Sequence, residues 1–127
     1  GPLTGKEAAF GQSAHRGILL AIAELNARGG VLGRPLAAVA EDNQSKPGES
    51  ATASKKLLSR DKVVALLGTG TSSNCLEMAP VAQAARVPLV ATTATADEVT
   101  ASRSFAFRVC FIDPFQGAVL AKFARDT

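Results

Sequence analysis

Four hydroxyl side chains within one short stretch, Ser72, Ser73, Thr93 and Thr95, are suited by type and spacing to hold a small anion. The stretch is VVALLGTGTSSNCLEMAPVAQAARVPLVATTAT, residues 63–95. Val63 to Leu67 is a continuous apolar run too short for a helix, the pattern of a parallel strand covered on both faces. Ser72, Ser73 and Asn74 each suit a helix cap, Leu76, Met78, Ala79, Ala82 and Ala85 supply apolar helix positions, and Pro88 to Val90 restarts a strand. In a parallel unit both strands point the same way, so Gly68 to Ser73 and Thr92 to Thr95 emerge side by side. They do so at the sheet edge where open α/β folds take ligands. Hydroxyl groups beside the free N–H groups of a helix start suit a carboxylate. Plain helix capping by Ser72 and Thr95 is the competing reading, and the two roles are compatible.

Other chemistries find little support. A nucleophilic serine needs a base within hydrogen-bond reach, and the lone His15 falls on a different helix with nothing to orient it, so no enzyme activity is expected. Cys75 and Cys110 lack metal-ligand spacing and read as two buried free thiols, with a disulfide between them in an oxidising compartment as the alternative; neither a metal nor a cofactor is expected. Gly68-Thr69-Gly70 hints at a dinucleotide site, but the third glycine of that motif falls on Ser73 and no acidic residue ends the next strand. Glu41 and Asp42 follow a strand end as a ribose-binding acid does; a solvated loop is the simpler reading. The net charge of +3 is mild, with no block of like charge and no aromatic residues interleaved with Arg or Lys, which argues against nucleic acid.

The surrounding elements alternate. Gln12 to Arg28 reads as a helix with Ile18, Leu19, Ile22 and Leu25 on one face, stopped by Gly29-Gly30. Leu36 to Ala40 reads as a short strand, and Pro47 to about Ser59 as a helix with Ala51, Leu57 and Leu58 inward and Lys55, Lys56 and Arg60 solvated. Asp97 to Ser102 reads as a short helix capped by Thr95, Phe105 to Val109 as a strand, and Asp113 to about Arg125 as a helix opening on Asp113-Pro114. The fold class expected is α/β, a doubly wound, mostly parallel sheet in a single lobe over residues 1–127. With 127 residues and 46% hydrophobic content the chain can bury a core, and no apolar run reaches the ~18 residues that span a bilayer. No strand precedes the first helix and none follows the last. The chain therefore reads as a fragment, incomplete as a lobe, whose uncovered edges and helix faces are expected to drive self-association, as a dimer or by exchange of an element.

Several segments carry a family resemblance: GPLTG, Phe10-Gly11, LNARGGVLGRPL, EDNQSKP, VVALLGTGTSSN, VPLVATTATADEVT and FRVCFIDPFQG. In this order and spacing they resemble the amino-terminal part of a type I periplasmic solute-binding protein of the branched-chain amino-acid-binding family. The resemblance implies the first lobe of a two-lobed, periplasmic protein that feeds an ATP-driven importer and has an ABC permease as partner. It implies that the ligand's carboxylate is held by the hydroxyl and N–H of Ser72 and of Thr95, beside Ser73, with the Thr93 C=O facing an ammonium group. It places Phe10 where the family often lines the side-chain pocket. The ligand implied is an amino acid or a related aromatic or organic acid. The cysteine that relatives often carry near the second strand is absent from EDNQSKP, so their disulfide is not expected. An amino-acid or amide sensory domain of the same fold is the alternative, with a dinucleotide-binding enzyme domain further behind.

Overall fold

The structure, a computed structural model, describes residues 1–126. Helix α1 (Ala8–Ala27) leads to α2 (Glu49–Ser59), β1 (Leu66–Gly68), α3 (Ser72–Ala85) and β2 (Leu89–Ala91). A single 3-10 turn (Asp97–Val99), β3 (Ala106–Arg108) and α4 (Asp113–Asp126) complete the order. The three strands form one parallel sheet in the order β1-β2-β3, with Leu66 opposite Leu89 and Leu89 opposite Ala106. This is the mixed α/β architecture with a parallel sheet that the alternation of elements implies. No helix of the described residues is long and apolar enough to cross a membrane.

Helix α1 ends where the glycine pair requires. The Gly30 N–H bonds the Leu25 carbonyl at 2.9 Å and the Gly29 N–H bonds Asn26 at 3.0 Å, a Schellman closure. Gly29 has φ +97°, which only a residue without Cβ adopts freely. The expected strand over residues 36–40 does not form. The Asn26 side chain takes both backbone groups of Leu36, donating to its C=O at 2.8 Å and accepting from its N–H at 2.7 Å. A strand exists only as a partner in a ladder, and among the described residues 37–40 have no such partner.

Helix α2 starts at Glu49, two residues after Pro47, with Gly48 as its cap and no side-chain hydrogen bond from that cap. The acceptor comes from a neighbour instead: Glu77 on α3 takes the N–H groups of Gly48 at 2.8 Å and Ser50 at 3.2 Å. A carboxylate at the positive end of a helix stabilises it, and here it also docks α2 on α3. Ser50 and Ser54 are the buried residues of α2, while Leu57 and Leu58, from its inward set, pack on the core.

The core is built by α3 on one face of the sheet. Leu66, Leu89 and Ala106 meet Met78, Ala79 and Ala82, and the small side chains of the two alanines let the helix lie close. Each fully buried leucine contributes about 1.5–3 kcal/mol of transfer free energy. A second cluster of Cys75, Ala91, Ala94 and Val99 lies under the loop after β2. The other sheet face differs from the expected two-sided burial: Leu67 is 44% exposed and Phe107 51%, while Val64, 84% exposed, falls before β1 and outside the sheet. On α1 and α4 Leu20, Phe115 and Leu120 are also exposed, the surfaces on which the expectation of self-association rests.

Candidate functional site

Two turns leave the C-terminal edge of the sheet and are fastened to each other. The Thr92 N–H and hydroxyl both donate to the Gly68 carbonyl, at 3.0 and 3.2 Å. The Thr93 hydroxyl donates to the Gly70 carbonyl at 2.5 Å. The Ala96 N–H donates to Ser72 Oγ at 3.2 Å. Ser72, Ser73, Thr93, Thr95 and Phe10 all face a single hollow of about 530 Å³, whose walls Glu7, Gly70 and Thr71 complete. That volume is in the range of small-molecule sites.

The hydrogen bonds say what each group has left to give. Ser72 is the first residue of α3, whose cap is Thr71, so Ser72, Ser73 and Asn74 do not cap the helix; the cap itself makes no side-chain bond. Ser72 Oγ instead accepts from the next loop, which leaves its own proton free to donate. Thr95 is likewise not the cap of the 3-10 turn, a place taken by Ala96. Its carbonyl accepts from Asp113 at 3.1 Å and so starts α4, and its hydroxyl has no partner among the described residues. The Thr93 hydroxyl is committed to Gly70, so its proton is not available to a guest. The start of α3 has no side-chain cap bond, and it lines the hollow together with the unclaimed hydroxyl protons of Ser72 and Thr95, the chemistry that holds an anion.

Arg108, at the end of β3, fixes the outer loop. Its guanidinium donates to the carbonyls of Ala94 at 3.0 Å, Ala96 at 2.8 Å and Asp97 at 3.1 Å, and to the Thr100 hydroxyl at 2.8 Å. Cys110 Sγ adds a bond to the Ala94 carbonyl at 3.3 Å. Both cysteines are free; Cys75 is buried, and burial pushes its thiol up to about 11, whereas Cys110 is only half-buried. Among the described residues no group of three or more His, Cys, Asp and Glu could hold a metal ion.

The acidic pair after residue 40 sits in a loop, half-buried, with its carboxylates held by protein donors. Glu41 pairs with Lys56 and Arg60, each at 2.9 Å, and the hydrogen bond from Lys56, against some burial and aided by Arg60, holds its carboxyl below the usual range. Lys56 and Arg60 are therefore paired rather than simply solvated. Asp42 accepts from the Leu3 N–H at 2.9 Å, the Thr4 N–H at 3.2 Å, the Thr4 hydroxyl at 2.6 Å and the Gln44 N–H at 2.8 Å. Burial raises its pKa, but the Thr4 hydroxyl and the three N–H groups outweigh it and bring it from 3.8 to about 2. These bonds moor Leu3 and Thr4, and Ser45 Oγ, which takes the Glu7 N–H at 3.1 Å, continues the mooring to the hollow's wall.

A carboxyl depressed on folding lends stability above its unfolded value, and loses it as pH falls through the folded one. The urea midpoint is expected to fall from about pH 4 to about pH 2, and Asp42→Asn to flatten that part of the profile. Equal slopes for the two proteins over that interval would refute the mooring role.

Sequence reasoning put Gly70 and Thr71 in the ligand-facing turn but missed Glu7 as a wall residue and Arg108 as the loop's fastening. Glu7 carried no signal while the helix was read from Gln12; the structure starts α1 at Ala8 with Glu7 as its cap residue, three residues before Phe10. Arg108 carried none, because its partners are carbonyls of a loop more than ten residues earlier.

Comparison with known proteins bears on this geometry. The periplasmic binding protein family matches residues 1–126. A leucine-, isoleucine-, valine-, threonine- and alanine-binding protein of Pseudomonas aeruginosa is 33% identical over 128 residues, covering 99% of this chain and 34% of that protein. Two solved structures superpose on the fold. A leucine-binding protein of Thermotoga maritima has 40% identity and a TM-score of 0.88 over 97% of this chain and 34% of its own. The substrate-binding protein of a branched-chain amino acid transporter of Streptococcus pneumoniae, solved with isoleucine, has 34% identity and a TM-score of 0.89 over 95% of this chain and 35% of its own. The chain thus spans about a third of the length of these relatives. A parallel sheet with two tied loops at its C-terminal edge, matched end to end by one family, leads to one conclusion: the chain belongs to the periplasmic binding protein family.

Proposed function

We propose that the chain captures a small carboxylate-bearing solute, an amino acid above all, and performs no chemistry on it. In this reading it serves, outside the cytoplasmic membrane, an importer whose permease receives the solute. The observation that carries the reading is the convergence of the two loops. The bond from Ala96 to Ser72 sets the uncapped start of α3 and the Thr95 hydroxyl on one hollow. Ser72 donates its free hydroxyl and backbone N–H to one carboxylate, and Thr95 donates its own pair to the same group. Thr93 turns its carbonyl to an ammonium group, and Phe10, 73% exposed at the rim, gives an apolar wall to the solute's side chain. The names of the relatives, which specify leucine, isoleucine and valine, support an amino acid as the solute.

The test is a titration of the chain with L-leucine followed by amide chemical shifts. Shifts are expected to concentrate on residues 70–73 and 93–96. Ser72→Ala should weaken binding about tenfold or more, the loss of one hydrogen bond to a charged group. Shifts confined to other surfaces, or an unchanged affinity in the variant, would overturn the assignment.

A further inference from the structure

One ionised group stands on the wall of the hollow. Of its eight lining residues Glu7 is the one with a charged side chain; the others are a glycine, an aromatic and five hydroxyl residues. The Glu7 side chain is only 20% exposed. Its backbone is fixed from both sides, the N–H donating to Ser45 Oγ at 3.1 Å and the carbonyl accepting from Phe10 at 3.1 Å and Gly11 at 3.2 Å. Its carboxylate is thinly compensated. Asn74 Nδ2 reaches Oε2 at 3.5 Å, and the neighbouring Lys6, itself 79% exposed, stands 3.9 Å from Oε1. An exposed lysine at that distance neutralises little.

The hollow therefore has two poles, donors at Ser72, Ser73 and Thr95 and a carboxylate at Glu7. A sphere of its volume is about 10 Å across, close to the distance over which salt screens charges. A simple acid seated on the donors has to share that space with the Glu7 charge. A zwitterion places its cationic nitrogen between the two negative groups and relieves the repulsion.

We propose, resting on the carboxylate-capture reading above, that Glu7 is a specificity-determining residue that selects solutes carrying a cationic nitrogen as well as a carboxylate. It thereby selects against aromatic and aliphatic acids that lack one. The cation can sit on the α carbon or at the end of the side chain, and a matched six-carbon series separates the two: hexanoate, L-norleucine and 6-aminohexanoate.

Titrations monitored by amide shifts are expected to give at least one amino compound an advantage of about tenfold or more over hexanoate. The compound that gains it tells where the cation lies. Glu7→Gln keeps the size and can still accept from Asn74, and is expected to cut that advantage below about threefold while hexanoate binds as well or better. Hexanoate binding as tightly as both amino compounds to the unaltered chain overturns the proposal and leaves the carboxylate reading standing. So does an advantage that survives in the variant. No binding by any of the three overturns the carboxylate reading, and the role of Glu7 with it.

Discussion

Gly70→Ala is expected to cost the chain about 2–4 kcal/mol and to abolish solute binding. Gly70 has φ +106°, a backbone state that residues with a Cβ reach only under strain. Space is lacking as well. A Cβ there would stand 2.8 Å from Asn74 Nδ2 and 3.0 Å from Pro2 Cδ. The amide could swing away, but Pro2 is buried and its ring has no alternative position to take. Pushing it shifts the segment that Asp42 moors at Leu3 and Thr4, and with it the wall that carries Glu7. Relaxing the strain instead by rotating the Gly70 carbonyl breaks its bond with the Thr93 hydroxyl and parts the two loops. Either route damages the hollow. Urea denaturation gives the loss in stability, and Gly17→Ala is the control. Gly17 lies inside α1 with nothing within 4 Å of an added Cβ, so alanine there should be neutral or stabilise by up to about 1 kcal/mol. A Gly70→Ala protein with the unaltered midpoint and affinity would show that the turn tolerates what its geometry forbids.

That dependence on one backbone angle shows which parts of the protein were legible in its sequence. Elements whose signal is local were readable: α1 with its glycine stop, α3, α4 opening on Asp113-Pro114, and three short strands within two or three residues of their observed bounds. The placement of Ser72, Ser73, Thr93 and Thr95 at one edge followed from the parallel direction of β1 and β2 alone. What failed depended on partners distant in the chain. Residues 36–40 have the composition of a strand but no ladder among the described residues; Asn26 satisfies Leu36, and 37–40 have no strand to pair with. Ser72 has the composition of a cap but spends its oxygen on Ala96, 24 residues on. Glu41 and Asp42 look solvated until Lys56, Arg60 and the N–H groups of residues 3 and 4 are brought to them. A hydroxyl, amide or carboxylate states its capacity in the sequence, whereas the group that claims it is a property of the fold.

Arg108 gives the sharpest separation between the loop and the fold beneath it. Arg108→Ala is expected to raise amide exchange at Ala96 and the loop around it by about ten- to a hundredfold, the loss of about 1.4–2.8 kcal/mol of local stability. The sheet should hold. The Leu66 N–H bonds Pro88 at 2.8 Å and the Leu89 N–H bonds Phe105 at 2.8 Å, and neither bond touches the guanidinium. Val99 and Ala94 stay buried beneath the loop, so it loosens without leaving the core. Lysine should not rescue it. A single ammonium cannot reach three carbonyls and the Thr100 hydroxyl at once, whereas a planar fork of five donors does. Because Ser72 is tied to Ala96, the loosened loop no longer holds the two donor pairs at a fixed separation. Solute affinity should then fall in both variants even though Arg108 lines no part of the hollow. Equal increases in exchange at Ala96, Leu66 and Leu89 would mean that Arg108 supports the whole fold. Unchanged exchange at Ala96 would mean that the core under the loop is sufficient to position the site.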